Sequence, residues 1–282
     1  MKSMKMKALA VAVLGLAGMG SAMAACSNTT PFAAWSSWNA AATTCHGSPS
    51  TGCNAEDKLG GISVAADGLH TTSCSMSSKF TTRADQPGGS FGEEAGVFDN
   101  SPQKEQTYRF RFYINPAAVA ATLSTANQVG VFGAHSASNH GATLNNQLVQ
   151  MYILGDGTGN VFLRTFAACT SGDGFVGSRC LSNSGDVQLP TASFATGVRV
   201  EGQVIIGAAG KVNIWVGSAV DPNTPSATIN LNNAAWGGAG VDGVKQAKLG
   251  LQTSTLGYQK NNLNKVVLFD EFDSRRQTFI GP

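Results

Sequence analysis

From Ile62 onward the chain carries strand-like periodicity. Tyr108, Phe110, Phe112 and Ile114 alternate with Arg109, Arg111 and Tyr113, a period of two that predicts a strand with one apolar and one polar face. Asn115-Pro116 ends it, because proline cannot donate to a ladder. Gln147 to Leu154 and Asn160 to Phe166 are β-rich runs separated by Gly155-Asp156-Gly157-Thr158-Gly159, which predicts a hairpin. Val198 to Ile206 and Lys211 to Val216 repeat the arrangement around Gly207-Ala208-Ala209-Gly210, and Lys248 to Thr253 and Lys265 to Phe272 add two further strands. Only Pro116 to Ala126 has helix-forming content. Strands do not alternate with helices, which argues against a parallel sheet, and no repeat of fixed period points to a propeller or solenoid. The expectation is an all-β, two-sheet antiparallel jelly-roll sandwich.

In the last strand, simple alternation puts Val266, Leu268, Asp270 and Phe272 on one face and Val267, Phe269, Glu271 and Asp273 on the other. Asp270 is then a carboxylate among apolar neighbours. It needs an arginine, with Arg276 one option, or several backbone N–H donors to stay ionised. A structural anchor is the reading preferred over a catalytic acid. Glu271, Asp273 and Arg275 are expected on a solvated rim.

The beginning of the chain follows different rules. Lys2, Lys5 and Lys7 precede an apolar run from Ala8 to Gly20, and Ala22-Met23-Ala24 follows. This is the layout of a secretory signal peptide, its core too short for a spanning helix, which needs about 20 residues. Taking these three lysines from 19 Lys and Arg leaves 16 against 17 Asp and Glu, so the exported chain is nearly neutral. That removes the electrostatic support for nucleic-acid binding, and no second apolar run reaches membrane length. Over the 282 residues, 34 glycines and a charged content of only 13% suit short strands joined by turns.

All six cysteines, Cys26, Cys45, Cys53, Cys74, Cys169 and Cys180, lie beyond the leader, and an even count in an exported chain implies disulfides. Local pairing joins Cys45 to Cys53 and Cys169 to Cys180, which leaves Cys26 with Cys74. The resulting organisation is a signal peptide at 1–24, a Cys-rich, disulfide-pinned N-terminal arm at 25–61 and a jelly-roll domain at 62–282. Met23-Ala24-Ala25-Cys26 also resembles a lipoprotein cleavage box, so an outer-membrane lipoprotein is the minor alternative to a secreted or periplasmic protein.

The run Tyr108 to Pro116, the late hairpin carrying Trp215, and the ending Leu268-Phe269-Asp270-Glu271-Phe272-Asp273-Ser274-Arg275-Arg276-Gln277-Thr278-Phe279-Ile280-Gly281 resemble exported bacterial modules of the concanavalin A-like, laminin G-like jelly-roll class. The resemblance implies two curved antiparallel sheets whose face or rim loops, in many relatives, bind carbohydrate, sometimes with calcium. It carries fold further than activity.

The candidate chemistry points in two directions. Sugar binding relies on aromatic faces with nearby amides, which singles out Trp236 in Asn232-Asn233-Ala234-Ala235-Trp236-Gly237-Gly238, Tyr258 among Gly257, Gln259 and Asn261, and Trp215 between Ile214 and Val216. A glycoside hydrolase needs two carboxylates on one cleft, and the strand pattern Glu-x-Asp-x-x-Glu is absent, Glu93-Glu94 being merely adjacent. A polysaccharide lyase needs a neutralising Arg or Gln and a His or Tyr base, for which His135, His140, Arg164 and Tyr152 are available, although His135 to His140 reads first as a polar loop. No catalytic residue is assigned. No cofactor or metal is called for, with calcium left open: Asp156 and Asn160 offer oxygen ligands but sit in ordinary turn chemistry. Gly238 to Gly243 fits Gly-x-Gly-x-x-Gly without the βαβ context that would give it meaning. The expected function is a non-catalytic binder of an extracellular glycan or surface component, with a polysaccharide-cleaving enzyme or a structural envelope protein as alternatives.

Overall fold

The computed structural model describes residues 62–65, 67–70, 74–80, 95–99, 102, 104–136, 147–168, 181–207, 209–217, 221–231, 243–252, 254–276 and 278–280. Among them thirteen strands form two antiparallel sheets. The first sheet contains β1 (Ile62–Ala65), β2 (Ser75–Lys79), β4 (Thr107–Asn115), β9 (Val198–Ile205), β10 (Lys211–Val216), β11 (Ala227–Asn230) and β13 (Val266–Arg276), in the order β1-β2-β13-β4-β9-β10-β11. The second contains β3 (Ala95–Asp99), β5 (Val129–His135), β6 (Gln147–Gly155), β7 (Val161–Ala168), β8 (Leu181–Leu189) and β12 (Gln246–Leu251), in the order β3-β12-β5-β6-β7-β8. This is the expected two-sheet sandwich.

The alternation in β4 does what the sequence predicts. Tyr108, Phe110, Phe112 and Ile114 are wholly buried, and Phe110 stacks on Phe132 of the opposite sheet with ring centroids 3.9 Å apart. Room for that ring comes from its neighbour in β9: Gly202 lies directly opposite Phe110, and a Cβ there would fall 2.2 Å from the ring.

Two expectations need correction. Helix content after Pro116 is confined to Ala117–Ala120, whereas an unforeseen helix, Leu256–Asn261, is started by Thr255, whose side chain accepts from Tyr258 N. The strict alternation predicted for the last strand also fails. Glu271 has φ +42°, and the register with β4 shifts between Asp270 and Asp273. The resulting bulge reverses the faces. Val267 and Phe269 point into the core before it, and Phe272 does so after it. Asp270 and Phe272 therefore do not share a face.

Candidate active site

The outer face of the second sheet gathers polar side chains from three neighbouring strands. In register, Gln246, His135 and Gln147 form one row across β12, β5 and β6, and Lys248, Gly133 and Gln150 form the next. Opposite positions on one face lie within side-chain reach. Gly133 leaves its place in this array vacant, and the neighbours lean over it: a Cβ there would lie 3.0 Å from Gln147 Nε2, 3.0 Å from His135 Nε2 and 3.2 Å from Gln252 Oε1. Gln150 Nε2 donates to Gln252 Oε1 (3.2 Å), and Gln252 Nε2 donates to Lys248 O (3.3 Å). All six polar side chains belong to residues at most 3% exposed. Gln147 Oε1 and Gln150 Oε1 nevertheless have no hydrogen-bond partner among the described residues.

Irregular pairing is what brings these residues together. The β5–β6 register shifts between Gly130 and Phe132 and again between Ala134 and His135. Without the second shift Gln147, which has the same parity as the core residues Val149 and Met151, would face inward. Instead it stands beside His135.

The same face continues over β7 and β8. Tyr152 is opposite Arg164, and Arg164 is opposite Asp186. The Arg164 guanidinium grips Asp186 through two bonds, Nε to Oδ1 at 2.6 Å and Nη2 to Oδ2 at 2.8 Å. Hydrogen bonding to that carboxylate raises the arginine's pKa further. Phe166, opposite Gln150, meets Tyr152 edge-on at 5.6 Å. The strip is only partly covered. Among the described residues this face thus joins an imidazole, an ammonium group, four amides, a phenol and a guanidinium. Its carboxylate, Asp186, is already engaged by Arg164.

The outer face of the first sheet is closed by ion pairs. Glu201, fully buried, accepts from Arg109 Nη1 (3.1 Å), from Arg199 Nη2 and from Ile280 N (2.8 Å). Burial holds the Arg199 guanidinium below its ordinary pKa, with Glu201 opposing that shift. Trp215 belongs to this network. Arg109 lies over its ring at 5.0 Å, Phe279 meets it edge-on at 5.4 Å, and its indole N–H donates to Asp221 O (3.1 Å). At 1% exposure it anchors the C-terminal segment and offers no open face to a sugar. Tyr258 is 4% exposed, its hydroxyl 3.1 Å from Thr122 Oγ1. Trp236 and His140 lie outside the described residues, as do Glu93, Glu94 and the residues of the predicted arm.

His135 is not part of a polar loop: it ends β5 and is 2% exposed. Asp270 is completely buried and held by backbone donors, Leu69 N to Oδ2 (2.8 Å) and Glu271 N to Oδ1 (2.7 Å), one of the two arrangements the sequence required. Glu271, expected on a solvated rim, is only partly exposed, 3.0 Å from His70 Nδ1 and 3.6 Å from Arg111 Nη2. Asp156 closes its own turn, accepting from Thr158 N (2.8 Å), Thr158 Oγ1 (2.7 Å) and Asn160 Nδ2 (2.7 Å). Of the cysteines, Cys74 is described and disulfide-bonded, while Cys26, Cys45, Cys53, Cys169 and Cys180 lie outside the described residues.

No family model and no curated protein matches the chain. Solved structures do. An endo-β-1,4-glucuronan lyase from the fungus Trichoderma reesei is 14% identical, with 75% of this chain and 84% of that chain covered and a TM-score of 0.44. The alginate lyase vAL-1 from Chlorella virus is 12% identical, over 76% of this chain and 88% of that one, with a TM-score of 0.40. A legume lectin-like domain from Entamoeba histolytica is 7% identical, over 75% and 84%, with a TM-score of 0.41. At such identities and TM-scores the likeness concerns the fold alone. The expectation of a non-catalytic glycan binder is corrected: the similar structures are mostly polysaccharide lyases.

Proposed function

We propose that this protein cleaves an acidic polysaccharide by β-elimination at a uronate residue, using the outer face of the second sheet. One observation carries the reading: His135, Gln147 and Gln252 converge over Gly133, flanked in register by Lys248 and Gln150. The C5 hydrogen of a uronate is α to a carboxylate and is acidic enough to remove only when that charge is neutralised. Lys248, with the amide of Gln147, is suited to that task, since charge-assisted bonds from N–H donors are the strong ones. His135 takes the C5 proton. The C–H electron pair becomes the C4=C5 double bond, the C4–O bond breaks, and the departing glycosidic oxygen takes a proton from the Tyr152 hydroxyl. Hydrolysis fits less well, because it needs two carboxylates across the bond and, among the described residues of this face, Asp186 is tied to Arg164.

The cluster is shielded from solvent in this conformation, so substrate entry requires this face to open. The leader at 1–24 would send the enzyme to where such polymers occur, secreted or periplasmic. The test is incubation with polymannuronate, polyguluronate, polyglucuronate and polygalacturonate. Ultraviolet absorbance of the conjugated double bond and product mass are followed together. The expected result is unsaturated oligosaccharides from at least one polymer. Saturated products with new reducing ends would identify a hydrolase, and no cleavage of any of the four would reject the proposal.

A further inference from the structure

Beside the bulge of β13 a second pair of ionisable groups meets. Among the described residues, four that are not glycine have a left-handed backbone: His70, Lys104, Asn264 and Glu271. Two of these four touch, His70 Nδ1 lying 3.0 Å from Glu271 Oε1. Such backbone is unfavourable for any side chain with a Cβ and persists only where the surroundings impose it, often at functional sites. Here they do. His70 N donates to Thr196 O (2.8 Å), Leu69 N donates to Asp270 Oδ2 (2.8 Å), and the buried Leu69 side chain sits against Gly197, where a Cβ would fall 2.9 Å from it.

The imidazole is oriented as well as placed. An ionised carboxylate only accepts, so the bond to Glu271 puts the proton of the neutral ring on Nδ1 and the lone pair on Nε2. In a histidine without such a partner the opposite tautomer is preferred. One face of the ring stacks on Tyr113, with centroids 4.3 Å apart and planes 10° from parallel. The side chain is nevertheless 36% exposed, and that exposure falls on the other face and the edge that includes Nε2. Arg111 completes the patch: Nη2 is 3.6 Å from Glu271 Oε2, and the guanidinium lies 5.7 Å from the centre of the Tyr113 ring. Imidazole and guanidinium therefore share one carboxylate and one phenol ring.

We propose that His70 is the general base of a second catalytic site, with Glu271 as its positioning residue, and that this site hydrolyses unhindered carboxylic esters. A water at Nε2 gives that atom a proton as its oxygen bonds to the acyl carbon. The carbonyl π pair moves onto oxygen, where the neighbouring Arg111 guanidinium supplies positive charge. The pair then returns, the C–O bond to the alcohol breaks, and the departing alkoxide takes the proton back from Nε2. Water and ester become acid and alcohol, and no co-reactant is consumed. Glu271 keeps the lone pair on Nε2 beforehand and stabilises the imidazolium in between. The parts select the substrate class: a base, a water and one cation suffice at an acyl carbon, and an imidazole at the surface reaches esters that are themselves unshielded. The site lies on the first sheet and does not depend on the elimination assigned to the second.

The experiment is initial-rate hydrolysis of p-nitrophenyl acetate by the full chain, set against imidazole at equal concentration. General-base catalysis contributes about 100- to 10,000-fold at a well-built site, and for a base this exposed the folded chain is expected to exceed imidazole by roughly tenfold or more. His70→Gln should bring the rate down to the level of imidazole while leaving polyuronate cleavage unchanged. In ¹⁵N NMR the neutral His70 ring should carry its proton on Nδ1 in the parent and on Nε2 in Glu271→Ala, with the ester rate lost in that variant. Glu271→Gln, which keeps an acceptor for Nδ1, should restore the tautomer and part of the rate. A parental rate no greater than that of imidazole, a His70→Gln rate within twofold of the parent, or a parental ring protonated on Nε2 would overturn the proposal. Should Glu271→Ala fail to fold, the parental tautomer and His70→Gln decide the matter. Failure of polyuronate cleavage would leave the proposal standing.

Discussion

Gly133→Ala tests the candidate active site with the smallest perturbation available. Gly133 lies within β5 and has no left-handed backbone requirement, so alanine can adopt its conformation. Reduced freedom of the unfolded chain should then contribute about 0.4–1 kcal/mol of stability. Against this, the new methyl would press on three side-chain ends at 3.0 to 3.2 Å. These ends are termini of His and Gln side chains and can retreat by a few tenths of an ångström. Overpacking of this kind costs about 1–3 kcal/mol, so the net loss of stability is about zero to 2.6 kcal/mol, or at most several degrees in Tm for a chain of this size. Catalysis responds more steeply, because a misplacement of about 1 Å costs on the order of 100-fold, and here the displaced groups include the proposed base. Expected, then, is a folded protein whose kcat/KM on the polyuronate it cleaves falls at least about tenfold. The assay is initial-rate absorbance of the unsaturated product alongside a thermal melt. Activity within twofold of the parent would show that the space above Gly133 plays no part in the reaction and would refute the assignment.

Three other predictions address the scaffold. Glu201→Gln keeps the shape of a fully buried side chain but removes the charge facing Arg109 and Arg199; breaking such a pair costs about 3–5 kcal/mol, and a urea-unfolding change below about 1 kcal/mol would contradict the ion-pair account of this face. Asp270→Ala strands the buried Leu69 N–H and should cost about 1–3 kcal/mol, again read by urea unfolding; an unchanged midpoint would rule out the anchor. Asp156, whose pKa its hydrogen bonds from Asn160 and Thr158 lower to about 2, should show a carboxyl NMR titration midpoint near that value. Because the folded pKa lies below the ordinary 3.8, its contribution to stability is present above pH 4 and disappears as pH falls through about 2; a midpoint near 3.8 would mean the turn is not closed in solution.

The fold was legible wherever one face of a strand is apolar and the other polar. β4 announces itself by period-two alternation ended by Asn115-Pro116, and the β6–β7 and β9–β10 hairpins by β-rich runs parted by glycine-rich turns. β8 is different: Leu181–Leu189 contains Ser, Asn, Gly and Asp, with Gly185 at φ +72°. It belongs to the sheet through pairing with β7, and nothing in its own periodicity says so. β11, only four residues long, is equally silent. Glu201 illustrates the same limit at the level of one residue. Its Arg199 partner is two positions away, but Arg109 and Ile280 reach it from distant parts of the chain.

The candidate site was half visible. Gln246, Lys248 and Gln252 occupy every second position around Gly250, so a polar stripe on one face of β12 was available to a reader looking for amides instead of carboxylate pairs. His135 and Gln147 were hidden for a physical reason: their placement depends on register shifts in β5–β6, and a bulge is a property of two paired strands, not of either sequence. The bulge at Glu271 misled the reading of β13 in the same manner. Irregular pairing therefore does opposite things to the two sheets. In β13 it seats Asp270 against Leu69 N as an internal anchor, and in β5–β6 it brings an imidazole and an amide outward onto one spot. A polar cluster assembled at the expense of ladder regularity, with two amide oxygens still unmet, is costly for the fold on its own. That cost is the physical ground for assigning the chemistry to this face and not to the ion-paired face opposite, where Glu201 already has its donors.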